Sequence, residues 1–222
     1  MNIIKMNYIN KKDLELTKNF IEGKFKRFLL GRNKWTDSIL EHFKVSGIID
    51  DFTNDKFYKG FKIYKTEEIP VDSIVLSCTM GSPQTAKKKL NNLNIRNIDY
   101  FAFYRYSNLN IKPPPFITDF KKNFQKNKEE YYWIYHKLAD KKSRKIFEKI
   151  VNFKLSYDLS FMEGFKNNVN LQYFEFKNYF KKSEITFVDG GGYIGDTTIS
   201  FIKHFRNYKK IYFFEPNKKI LK

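Results

Sequence analysis

The sequence predicts an α/β fold in three parts: a parallel-sheet module over 1–108, a helical connecting region over 109–184, and the start of a second parallel-sheet domain over 185–222. Three observations predict it. Strand-length apolar runs alternate with helical periodicity in the first part, and Pro113-Pro114-Pro115 then forces a stiff, extended connector. Later, the apolar run Phe187-Val188 enters Asp189-Gly190-Gly191-Gly192 and reopens the strand, turn and helix pattern.

Taken in order, residues 25–30 are apolar-biased and stop at Gly31, which predicts a first strand. Residues 35–43 place Ile39, Leu40 and Phe43 on one helical face, and 45–49 read as a second strand ending in Asp50-Asp51. A third strand covers 74–76 and continues toward Cys78. Ser82 as N-cap and Pro83 at the first helical position open a helix that runs to about Leu93, and 100–104 reads as a fourth strand. Strand, helix, strand repeated twice implies parallel pairing through right-handed crossovers, a Rossmann-like module. From 117 to about 165 the pattern becomes helical. Phe120, Phe124, Tyr131, Ile134, Tyr135 and Leu138 form one stripe, and Phe147, Ile150 and Val151 another, both read as core packing.

Composition narrows the setting. Hydrophobic content of 41% and aromatic content of 18% supply core material and argue against disorder. No run approaches the roughly 20 apolar residues of a membrane span, and the polar start lacks a signal peptide's apolar core. One cysteine, Cys78, excludes an intramolecular disulfide and suggests no metal cluster, so a cytoplasmic location is the expectation. The net charge of +18 comes overwhelmingly from lysine scattered among Asn, Ile, Tyr and Phe. Specific nucleic-acid readers depend on arginine forks and clustered basic faces, so no specific nucleic-acid partner is expected, only salt-sensitive attraction to polyanions.

The chemistry sits late in the chain. A strand delivers Asp189 to its C-terminal end, where ligands of open α/β sheets bind. Gly190, Gly191 and Gly192 allow a sharp turn and close approach of a ligand, and Gly195 opens the next helix. Asp196 supports that helix's first turn through the macrodipole. After the helix, 211–214 forms a strand ending in Glu215, twenty residues past Gly195, an offset suited to accepting both ribose hydroxyls of a nucleoside. Gly190, Gly192 and Gly195 also fit the dinucleotide pattern. A carboxylate immediately before the loop opposes a diphosphate, however, and suits the cationic end of a sulfonium amino acid. The reading therefore favours S-adenosylmethionine. The plainer alternative is that Asp189 caps the turn and the glycines make a tight strand-to-helix join.

The run Phe187-Val188-Asp189-Gly190-Gly191-Gly192-Tyr193-Ile194-Gly195-Asp196-Thr197, with Phe213-Phe214-Glu215-Pro216-Asn217, resembles the FkbM family of methyltransferases. Gln172-Tyr173-Phe174 resembles that family's lead-in. Ile48-Ile49-Asp50-Asp51-Phe52 and Asp99-Tyr100-Phe101-Ala102-Phe103 resemble the Rossmann-like extension of some members. The resemblance covers most of the chain and implies a class I methyltransferase domain using S-adenosylmethionine to methylate oxygen on a small molecule or glycan. It implies Asp189, Gly191 and Gly195 around the methionine moiety and Glu215 on the ribose. Gly190, Gly192, Tyr193 and Asp196 complete the expected cofactor-binding set. The departure is length, since a complete fold of that kind has more strands than the two read here. The expectation is a truncated, weakly active or inactive domain with no nameable general base. Phe187, Ile199, Phe201, Ile211 and Phe213 would then lack cover, and the segment would dock on the helical region, self-associate, pair with a second chain, or be poorly ordered.

The first module carries a fainter signal. Asp50 and Asp51 follow Gly31 by nineteen and twenty residues, the ribose-acid offset, while Arg32, Lys34 and the Ser82-Pro83 helix start offer phosphate contacts. The alternative reading of the chain is thus a noncatalytic nucleotide- or sugar-nucleotide-binding module. Against it stands a retained dimerisation or substrate-positioning domain. His42, His136 and His204 lack metal-ligand spacing, and Cys78 reads as buried and inert.

Overall fold

Asn10 opens the first helix, α1 (Lys11–Glu22), by accepting the Asp13 N–H on its side chain, and left-handed Gly23 ends it. The sequence reading has no element here because polar positions dominate, yet Thr17 and Phe20 on the inner face are fully buried. In this computed structural model the described residues are 8–115, 117–165, 173–174, 177–180, 184–218 and 220. They fall into two compact units that divide between Gly164 and Phe165.

The N-terminal unit is built on a six-stranded, mostly parallel sheet. Its central strand β1 (Lys26–Leu30) pairs in parallel with β2 (Gly47–Ile49) on one side and β5 (Ser73–Ser77) on the other. Outside β2 lies β4 (Phe61–Tyr64), edged by the short antiparallel β3 (Phe57–Tyr58), and outside β5 lies β6 (Arg96–Asp99). The chain moves outward through β2 and β4, then returns across β1 to β5. That reversal puts the topological switch point between β1 and β5. The helices α2 (Lys34–Leu40) and α3 (Pro83–Asn92) lie in the connections.

Both faces of this sheet are covered. Leu29, Ile48, Ile74, Leu76 and Ile98 join one cluster, while Phe28, Ile49 and Val75 join another. Every residue of β5 is buried, which explains its unbroken apolar run.

One element differs in kind from the sequence reading. Residues 100–104 are not a strand but part of α4 (Tyr100–Tyr106), and the parallel strand of this stretch is the preceding β6. Asp99 decides the boundary. It ends β6 and its carboxylate accepts the Ala102 N–H at 3.0 Å, an N-cap that turns the chain into a helix. The aromatic run suggests a strand, but Tyr100, Phe101, Ala102 and Phe103 are all buried, so alternation could not distinguish the two.

The helical stretch contributes α5 (Phe120–Lys126), α6 (Lys128–Lys137), α7 (Lys141–Ser156) and a 3-10 turn over Leu159–Met162. Asp140 caps α7 by accepting the Ser143 N–H at 2.9 Å. Phe101 of α4 packs with Ile117 and Leu159, and Phe124 with Val151 and Leu155. Trp35 donates its indole N–H to the Pro113 carbonyl, which fixes the proline connector to α2.

The C-terminal unit contains β7 (Ile185–Gly190), α8 (Asp196–His204) and β8 (Tyr208–Phe214), with β7 and β8 paired in parallel. Phe174 is buried here against Phe187, Phe201, His204 and Phe205. Gln172 of the same sequence motif lies outside the described residues.

The expectation of uncovered apolar faces is corrected in part. Phe201 is only 2% exposed, and Phe187 stacks on it at 4.2 Å, because Phe174 supplies their cover. Ile199 and Phe213 are exposed as expected. On the other face of the strand pair, Val188, Tyr212 and Phe214 are also exposed among the described residues. Among the described residues, no helix is long and apolar enough to cross a membrane.

Candidate cofactor-binding site

The glycine loop connects the C-terminal end of β7 to the start of α8. Asp189 is the penultimate residue of β7 and Gly190 the last. The Gly191 and Gly192 N–H groups both donate to the Phe214 carbonyl, at 2.8 and 3.0 Å, so the turn is fastened to the end of β8. Gly192 is required by contact. A Cβ there would lie 2.1 Å from the Phe213 ring. Over Gly190 and Gly191 a Cβ would meet nothing within 4 Å, which leaves open space beside the backbone. Gly195 holds the N-cap position of α8 at φ +81°, and Asp196 is exposed in the first turn.

Glu215 follows β8 directly and its carboxylate is anchored by backbone donors. The Tyr193 N–H donates to Oε2 at 2.8 Å and the Asn217 N–H to Oε1 at 2.7 Å. Tyr193, at φ +49°, is thereby held in a left-handed conformation with its ring exposed. Two sequence-selected groups, the loop and the strand-end acid, therefore meet directly. Asp196 has no hydrogen bond to the others among the described residues.

Asp189 is 8% exposed and receives one side-chain hydrogen bond, from the Thr198 hydroxyl to Oδ2. Strand and helix periodicity explain the encounter. Phe187 and Asp189 share one face of β7, and Thr198 and Phe201 share one face of α8, so the aromatic stack and the hydrogen bond form side by side. The sequence reading missed Thr198, although its position nine residues after Asp189 was visible. Phe213, whose ring fills the place of a Gly192 side chain, was also missed as part of the site.

Neither Asp189 nor Glu215 forms an ion pair among the described residues. An ion pair of this unit, Lys209 with Glu184 at 3.8 Å, sits at the opposite, N-terminal ends of the strands. In a chain of net charge +18, two carboxylates with only neutral donors leave their charge available to a cationic or hydroxyl-bearing ligand.

The comparable acids of the N-terminal unit are differently placed. Arg32 reaches Asp50 at 2.6 Å and Asp55 at 2.7 Å. Asp51 accepts the Thr66 N–H and hydroxyl and pairs with Lys89 at 2.9 Å. Burial pushes the Asp51 carboxyl up, but the Thr66 donors and the Lys89 ammonium outweigh it and hold it below the usual carboxylate range. Lys65 donates to the carbonyls of Asp50, Asp51 and Thr53. At the switch point, the Asn33 amide bridges from the Gly31 turn to the Cys78 carbonyl at 3.0 Å, and its carbonyl caps α2. Ser82 occupies the N-cap position of α3 without a side-chain capping bond. Arg32, Asp50 and Asp51, the residues read as nucleotide contacts, are thus engaged with one another's surroundings. Cys78 is fully buried, which pushes its thiol up to about 12.

No protein-family model and no curated protein sequence matches the chain. A solved structure does: the crystal structure of methyltransferase FkbM from Methylobacillus flagellatus KT matches 97% of this chain with a TM-score of 0.65. The chain shares its fold. At 17% sequence identity the likeness to that methyltransferase extends to architecture, an α/β fold with a mostly parallel sheet. The chain spans 62% of the length of the methyltransferase it matches.

Proposed function

We propose that the C-terminal unit is the S-adenosylmethionine site of a methyltransferase that acts on oxygen in a small molecule or glycan. The observation that carries this reading is the pair of carboxylates, Asp189 and Glu215, flanking an open glycine loop with no cation on either among the described residues. The methyltransferase fold of the matched structure supports it.

The residues fit the cofactor. Asp189 would receive the ammonium of the methionine moiety. Gly190 and Gly191 would let the ligand lie against backbone, and the open lone pairs of Glu215 would accept the ribose hydroxyls. Gly192, Tyr193 and Gly195 hold the loop, and Asp196 lies at the mouth of α8. What S-adenosylmethionine supplies when bound is an electrophilic methyl group. The chain's part is orientation, which contributes much of the rate in a displacement reaction.

Calorimetric titration with S-adenosylhomocysteine tests the reading. The parent chain is expected to bind, and Asp189→Ala to weaken binding about 10- to 100-fold, the effect of removing one charge-assisted hydrogen bond. No heat at millimolar ligand in the parent would overturn the proposal.

A further inference from the structure

Asp189 has an unusual environment for a buried carboxylate. At 8% exposure it has one side-chain donor, the Thr198 hydroxyl on Oδ2, and among the described residues Oδ1 has none. A lysine or arginine partner would neutralise the charge, whereas a hydroxyl leaves it whole while fixing the plane of the carboxylate. The hydroxyl is itself fixed. Thr198 lies one helical turn from Phe201, which is 2% exposed and stacked on Phe187, so the helix cannot turn Thr198 away without unstacking the rings.

We infer that Thr198 is a positioning residue of the cofactor site: its hydroxyl orients the Asp189 carboxylate so that Oδ1 is presented to the ammonium of the ligand's amino-acid end. The inference rests on the function proposed above. It adds a residue that touches no ligand and acts only through Asp189. Its effect should therefore be confined to ligands that carry the amino-acid end.

Two nucleosides separate this role from a structural one. S-adenosylhomocysteine has the amino-acid end, and 5′-methylthioadenosine has the same adenosyl thioether without it. Titrated against Thr198→Val, S-adenosylhomocysteine should lose about tenfold in affinity, the size of one charge-assisted hydrogen bond, while methylthioadenosine stays within about twofold of the parent. Thr198→Ser, which keeps the hydroxyl and drops the methyl, should bind both like the parent. Equal losses for both ligands in Thr198→Val, no loss for either, or failure of Thr198→Ser to restore binding would overturn the inference and leave the cofactor site standing. If Thr198→Val does not fold, Thr198→Ala, which also removes the hydroxyl, takes its place under the same criteria. A parent chain that binds neither nucleoside would overturn the site itself.

Discussion

Two strand-glycine-helix-strand segments of this chain end in acids, and the two sets of acids have opposite company. In the N-terminal unit, Asp50 and Asp51 follow the Gly31 turn and are joined by Arg32, Lys89 and the Lys65 ammonium beneath them. In the C-terminal unit, Asp189 and Glu215 bracket the glycine loop and, among the described residues, accept only from a hydroxyl and backbone N–H groups. The same offset from glycine to acid therefore supports two physical roles. One set of charges is used to hold loops together, and the other is held in place by neutral groups. Offset along the chain places an acid at a strand end, while the cations around it decide whether a ligand can use it.

The largest expected effect separates the two turns sterically. Gly192→Ala should unsettle the C-terminal unit by about 3 kcal/mol, because its Cβ would fall 2.1 Å from the Phe213 ring. Gly190→Ala, with nothing within 4 Å, should leave stability nearly unchanged. Hydrogen-exchange protection of the β8 amides measures this, and Phe213→Leu should restore protection in the Gly192→Ala chain. Unaltered protection in Gly192→Ala would remove the close packing on which the loop's shape depends.

A smaller effect tests the ion-paired acids. Arg32→Ala should destabilise the N-terminal unit modestly, since Asp50 is mostly buried and loses a charge-assisted hydrogen bond while Asp55 is exposed. Urea unfolding followed by the signals of that unit would report it. The same preparation can break the comparison outright. If the parent chain binds a uridine diphosphate sugar and Asp50→Ala abolishes that binding, the N-terminal acids are ligand groups after all.

The smallest effect is one of acidity. The Asp51 carboxyl titrates below its ordinary range in the folded chain, so its contribution to stability is present above about pH 4 and is lost as pH falls through the folded value. Thermal melts between about pH 2 and 6 should show Asp51→Asn flattening that acid limb by about 2 °C. An unchanged limb would mean that Thr66 and Lys89 do not set the titration of Asp51.

Much of this was legible in the sequence, for physical reasons that can be named. Parallel strands buried on both faces appear as unbroken apolar runs, so β1, β2 and β5 were found to within a few residues. The glycine loop and Glu215 were found because a tight turn and a strand-end acid require particular residue types. Residues 100–104 read as a strand because their burial erases the helical period, and only the Asp99 cap corrects it. The polar α1 was passed over because its apolar contribution rests mainly on Phe20 and a few neighbours. Arg32 reads as a phosphate contact from the sequence because offset along the chain carries no information about which cation folds over which acid. The Thr198 contact with Asp189 is hidden for a related reason: it arises from sharing a helix face with Phe201, which becomes visible only when α8 lies on β7.

Cys78 gives this molecule a built-in stopwatch. It is the chain's one cysteine, it is fully buried beside the Gly31 turn, and burial withholds its thiolate. A disulfide reagent can reach it only when the N-terminal sheet opens, so the labelling rate counts openings of that sheet. Variants made in the glycine loop can therefore be checked for remote damage in the same tube, with no tag or added dye. A loop substitution that changes ligand binding but leaves the Cys78 clock running at its parental rate has acted locally.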